Sequence, residues 1–106
     1  MHKHDMVIKF GDIEMRGPFS RLDELEDLGG LFVVLCNEDT RFKRLDVRIA
    51  KGVQTEVAKA LAEPGWSKVC KGKLRVAVLY SFDETLLESI EKQLLSGFDC
   101  ATPEPI

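Results

Sequence analysis

The side chains best suited to chemistry are few and widely spaced. His2 and His4 are the two histidines of the chain. Their i, i+2 spacing could touch a metal, but beside a polar terminus they read as solvated. Cys36, Cys70 and Cys100 are an odd number, far apart and without a CxxC pair. That pattern indicates neither a disulfide framework nor a zinc site, and it reads as free thiols in a reducing compartment. Cys36 ends an apolar run, as an inert core thiol would. Cys70 sits among Lys68, Lys71 and Lys73, which favour a thiolate, but no histidine lies near it in sequence to activate it. Trp66 could stack on a base; packing over a helix end is the commoner fate of a lone tryptophan. Phosphate-binding glycine loops, zinc-protease motifs and nucleophile elbows are missing.

The charged residues are more informative. The net charge is −3, which argues against non-specific attraction to nucleic acid. The distribution is uneven. Residues 41–75 hold ten Lys/Arg and three acids, a local charge of +7, while the remainder holds five and fifteen, or −10. Such a block could form a face for an anionic partner, or could simply neutralise an acidic element packed beside it.

These side chains must be positioned by a single domain, since 106 residues support one core. At 44% hydrophobic and 31% charged the composition is that of a soluble globular protein. No run approaches the ~18 apolar residues of a membrane helix, and the N-terminus does not resemble a secretory signal. Residues 1–19 read as a hairpin extension turning at Gly11 and ended by Gly17-Pro18. A short helix over Arg21–Leu28, capped by Ser20, should stop at Gly29-Gly30. Leu31–Cys36 is an unbroken apolar run, the mark of a strand covered on both faces. Arg41–Val47 alternates and reads as its partner. Gly52–Glu63 is a helix with Val53, Val57, Ala60 and Leu61 on one face, closed by Pro64-Gly65. Leu74–Phe82 is a third strong strand. A last helix follows, opened by a Ser81-x-x-Glu84 capping box, with Leu86, Leu87, Ile90, Leu94 and Leu95 on its apolar stripe. Glu56 and Glu91 fall at the edges of the two stripes. Residues 97–106 read as a loose tail. The expected fold is α/β (α+β): a small, mainly antiparallel sheet of three central strands flanked by helices, with an N-terminal β-hairpin.

The order strand, strand, helix, strand, helix resembles the GIY-YIG endonuclease superfamily. Gly30-Leu-Phe-Val-Val-Leu35 is similar to its first strand motif. Leu45-Asp46-Val47 with Lys51–Leu61 is similar to its second strand and following helix. Gly17-Pro18-Phe19, Trp66-x-x-x-Cys70-x-Gly72, Val76–Tyr80 and Ile90-Glu91 resemble a subgroup of small bacterial GIY-YIG-like proteins. The resemblance implies a site in which tyrosines and an arginine surround a phosphate and a glutamate binds one divalent metal. This chain departs from it. The tyrosine positions fall at Phe32 and Asp46, the second motif's glycine at Arg48, and the arginine at Glu56. Only Glu91 matches, as the metal-binding glutamate.

The expectation is a catalytically silent GIY-YIG-like domain that acts as a cytoplasmic binding module. Its partner would be nucleic acid or an acidic protein, bound through Arg41, Lys43, Arg44, Arg48, Lys51, Lys68, Lys71 and Lys73. No cofactor and no membrane are expected, and the chain would be a monomer or weak homodimer. One alternative is a divergent Mg²⁺-dependent endonuclease, with Arg48 replacing the lost arginine and Glu91 holding the metal. Another is a structural domain that dimerises through an exposed sheet edge.

Overall fold

The computed structural model describes residues 6–38, 41–97 and 100–105. Strands β1 (Met6–Phe10) and β2 (Ile13–Phe19) form the expected hairpin. Its two-residue loop turns at Gly11, whose φ of 62° suits glycine. The β1–β2 pairing ends at Arg16, just before Gly17-Pro18, but β2 itself runs on to Phe19. The ladder from β2 to its next neighbour is irregular between Arg16 and Phe19. A Cβ on Gly17 would stand 2.8 Å from the Val76 carbonyl, so glycine lets β2 pass this point and pair on to Phe19.

Strand β3 (Gly30–Glu38) is central, antiparallel to β4 (Arg41–Ala50) on one side and to β5 (Lys73–Tyr80) on the other. Leu31–Cys36 is buried throughout, as its unbroken apolar run requires. These are the three expected strands, but the sheet is larger than three. β2 pairs with β5, and β6 (Cys100–Pro105) pairs with β1 and with the start of β4. The order β1-β2-β5-β3-β4-β6 closes on itself. Closure satisfies some of the backbone groups that the outer edges of β4 and β5 would otherwise present to solvent, at Phe42 and Lys43 of β4 and at Val76 and Val78 of β5.

The loose tail expected over 97–106 is therefore corrected at Cys100–Pro105. Pro103 and Pro105 suggest a break, yet both lie where β6 has β1 alone as neighbour: β4 reaches only Cys100 and Ala101. A proline is tolerated where no second ladder needs its N–H.

The sheet carries a core on each side. Leu31, Val33 and Leu35 of β3 pack with Ile8, Phe10 and Met15 of the hairpin and with Leu87, Ile90 and Leu94 of α3 (Glu84–Gly97). The alternate residues Phe32 and Val34 pack with Val53, Val57 and Ala60 of α1 (Val53–Leu61). The stripe of α3 is narrower than expected, since Leu86 and Leu95 are exposed. Asp83, not Ser81, caps α3: Leu86 N–H donates to its carboxylate at 3.1 Å, while the Ser81 hydroxyl accepts from Asp83 N–H at 3.1 Å.

The helix expected over Arg21–Leu28 is only a 3-10 turn at Leu22–Glu24. Its carbonyls are taken from outside. The Gln54 amide donates to Leu22 and Leu25 oxygens at 2.9 and 3.1 Å, and Val53 N–H donates to Leu28 O at 2.9 Å. In return this segment caps α1. Gly52 offers no side chain there, and Asp27 accepts Thr55 N–H at 2.9 Å and the Thr55 hydroxyl at 2.8 Å. A Cβ on Gly52 would meet the Asp27 carboxylate at 2.6 Å, so the absence of one leaves room for the cap.

Those hydrogen bonds, the backbone one first, hold Asp27 below the usual carboxylate range. A depressed folded pKa contributes stability above the unfolded value of about 3.9 and loses it as pH falls through the folded pKa. Asp27→Asn is therefore expected to be less stable than the parent at pH 7. The difference should shrink from about pH 5 downward, as read by urea midpoints across pH. A difference that does not change with pH would show that the charge of Asp27 does not matter.

Candidate functional site

Phe32, at the first tyrosine position of the resemblance, is 0% exposed. It is a core side chain beneath α1 and reaches no cleft. Arg48 lies directly opposite it across the ladder, and Asp46 lies opposite Val34. Residues directly opposite share a face, so Asp46 and Arg48 stand on the α1 side. Arg48 does not face an open site. Its guanidinium donates two parallel bonds of 2.8 Å to Glu63 and one of 2.7 Å to Asp46. The Glu63 hydrogen bonds, then that of Asp46, push its pKa up. Arg48 in turn holds Glu63 below its ordinary value. The arrangement is a bidentate clamp from β4 to the segment after α1. It occupies the cation that a phosphate would need.

Glu56 on α1 pairs with Lys59 at 3.3 Å. Glu91 is half-buried on α3. Since α1 and α3 pack on opposite sides of β3, the sheet separates Glu91 from Phe32, Asp46, Arg48 and Glu56. Among the described residues no three His, Cys, Asp or Glu side chains are grouped to hold a metal. His2 and His4 lie outside the described residues.

The basic positions divide into two places. Lys51 is at the far end of β4, ten residues from Arg41 and roughly 30 Å away along an extended strand. It lines a cleft of about 420 Å³ with Gly29, Ile49, Phe82, Glu84 and Leu87. Phe82 stands at its rim, 85% exposed. The cleft is of small-molecule size, mostly apolar, and sequence reading did not single it out.

The other basic residues gather around the end of β3. Arg41 lies opposite Glu38, Lys43 opposite Cys36, and Lys73 opposite Asn37. Lys68 belongs to the short helix α2 (Trp66–Val69), and Lys71 follows it. Arg41, Lys43, Lys68, Lys71 and Lys73 are all exposed. Arg44 is half-buried and has a partner of its own.

A covalent bond draws these pieces together. Cys36 and Cys70 form a disulfide with Cα atoms 5.6 Å apart. This overturns the free-thiol reading of both residues. The turn between Cys70 and β5 also needs Gly72, because a Cβ there would overlap the Asn37 carbonyl. The bond spans 34 residues, and closing a loop of that length stabilises the fold by about 4 kcal/mol in the chain-entropy account. Trp66 packs over the end of α1, where its indole N–H donates to Ala60 O at 2.9 Å.

No protein-family model matches the chain, and neither a curated protein nor a solved structure is detectably similar to it. Among the described residues no helix is long and apolar enough to cross a membrane.

Proposed function

We propose that this chain is a catalytically silent, GIY-YIG-like binding module. It engages an anionic partner, nucleic acid in the first instance, through Arg41, Lys43, Lys68, Lys71 and Lys73. The observation that carries this reading is their meeting at one end of β3. Three separate segments supply them, and the pairing register and the Cys36–Cys70 bond bring those segments together. The element order β3, β4, α1, β5, α3 is compatible with the family resemblance. The six-stranded closure goes beyond what that resemblance implies.

Two features weigh against the nuclease alternative. Arg48 is engaged by two carboxylates, and Glu91 lies across the sheet from the other family positions. For the dimerising alternative, β2 and β6 cover part of the edges that a three-stranded sheet would expose. The reading places the protein in the cytoplasm, where a lasting disulfide is uncommon.

The test is fluorescence anisotropy of a labelled short DNA duplex at several salt concentrations, with and without Mg²⁺. Binding is expected to weaken with salt, with a log–log slope of about −3 to −5 for four or five phosphate contacts. It should not depend on Mg²⁺, and the duplex should remain intact. Metal-dependent strand cleavage that Glu91→Ala abolishes would overturn the reading.

A further inference from the structure

We infer that the Cys36–Cys70 disulfide is a redox clasp on the cationic surface, so that the protein binds its anionic partner in the oxidised form and releases it on reduction. The inference rests on the binding reading above. It begins from how weakly the clasped segment is otherwise held. α2 is four residues long and contains no buried residue. A helix that short does not persist by itself. Besides its links along the chain, it is held by the half-buried Trp66, anchored on Ala60 O, and by the bond from Cys70 to Cys36. Yet this segment and the turn after it present Lys68 and Lys71, two of the five exposed cations at this end. The bond therefore decides whether Lys68 and Lys71 stand beside Arg41 and Lys43 or move away from them, while Lys73 stays on the β3–β5 ladder.

The two sulfurs are not equally reachable. Cys36 is 0% exposed and Cys70 is 7% exposed, so an incoming thiolate meets Cys70 first. Lys68 and Lys71 flank that position and attract an anionic attacker. With a small dithiol as reductant, its thiolate bonds to the Cys70 sulfur, the Sγ–Sγ bond breaks, and Cys36 leaves as a thiolate that takes up a proton. The second thiol of the reductant then attacks the mixed disulfide, closing the reductant into a cyclic disulfide and freeing the Cys70 thiol. The protein disulfide gains two electrons and two protons, which the dithiol loses. A low-molecular-weight disulfide reverses the process through the same mixed intermediate.

The experiment uses the full chain carrying Cys100→Ser, so that the third thiol cannot exchange. Oxidised and dithiol-reduced, alkylated samples are compared by amide hydrogen exchange and by anisotropy of the labelled duplex. Reduction is expected to speed exchange within residues 66–72 far more than in β3 and β5, whose amides lose only the bond's share of global stability, and to weaken duplex binding about tenfold or more through the lost cation contacts. Unchanged exchange at 66–72 would overturn the clasp. So would exchange rising equally throughout the barrel, since the bond would then be a global staple. Equal duplex affinity in both states would overturn the coupling. If neither state binds duplex, the binding reading fails and this redox coupling falls with it, while the exchange data still decide whether α2 is clasped.

Discussion

Replacing Phe32 by tyrosine is expected to destabilise the protein by about 1–3 kcal/mol, the cost of burying a hydroxyl with no partner. It should restore no strand cleavage. The family resemblance alone would suggest the opposite, because tyrosine is the residue expected at a working first motif. The packing decides between them. Phe32 is 0% exposed and packed among Val34, Val53, Val57 and Val78. Added oxygen there meets carbon, and the extra volume strains a filled core. Phe32→Ala should cost more, about 3–5 kcal/mol, through lost burial and the cavity left behind. Urea unfolding midpoints of the parent and both variants measure this directly. A tyrosine variant as stable as the parent would mean that the hydroxyl finds a partner or solvent, and position 32 would regain its place as a site residue.

The second large effect concerns binding and should leave stability almost untouched. Replacing Lys43, Lys68, Lys71 and Lys73 together by glutamate is expected to weaken duplex binding roughly a hundredfold or more at low salt and to flatten the salt dependence. All four side chains are exposed, and exposed substitutions of this kind usually change stability by about 0.5 kcal/mol or less each. Lys51→Glu serves as the control. Lys51 belongs to the same basic block in sequence but lies at the other end of β4, beside the cleft. It should have little effect. An equal loss from Lys51→Glu alone would show that net charge, and not the surface at the end of β3, governs binding.

Much of the fold was legible because local patterns and tertiary demands agree. Leu31–Cys36 is apolar at every position and is buried on both faces. Val53, Val57 and Ala60 recur at helical spacing and face the core. Where the two disagree, the pattern misled. Arg21–Leu28 has helical spacing, but Gln54 and Val53 claim its carbonyls, and only one 3-10 turn forms. Pro103 and Pro105 look like breakers, yet β6 has a single neighbour at both. Closure of the barrel rests on pairings between the two ends of the chain, and no local window contains them.

The site was legible in the same uneven way. The block of basic residues is plain in the sequence, but its division between two ends of β4 follows from strand length and register. Arg48 reads as one more cation until Asp46 and Glu63 are seen to claim it. The disulfide was missed because wide spacing hides a pair whose partners lie on a strand and just before its neighbour in the sheet. One signal was available. Cys70 precedes the Lys71-Gly72-Lys73 turn into β5, and Cys36 closes the apolar run near the end of β3, so antiparallel pairing of those strands brings the two cysteines to the same end.

The most direct test of the binding account is an amide-resolved NMR titration of the oxidised protein with a short DNA duplex, with and without Mg²⁺. The account predicts shifts concentrated on Arg41–Arg44 and Lys68–Arg75, unchanged by the metal, with Lys51, Glu56 and Glu91 quiet. Shifts at Glu56 and Glu91 that require Mg²⁺, or no shifts at the end of β3, would contradict it.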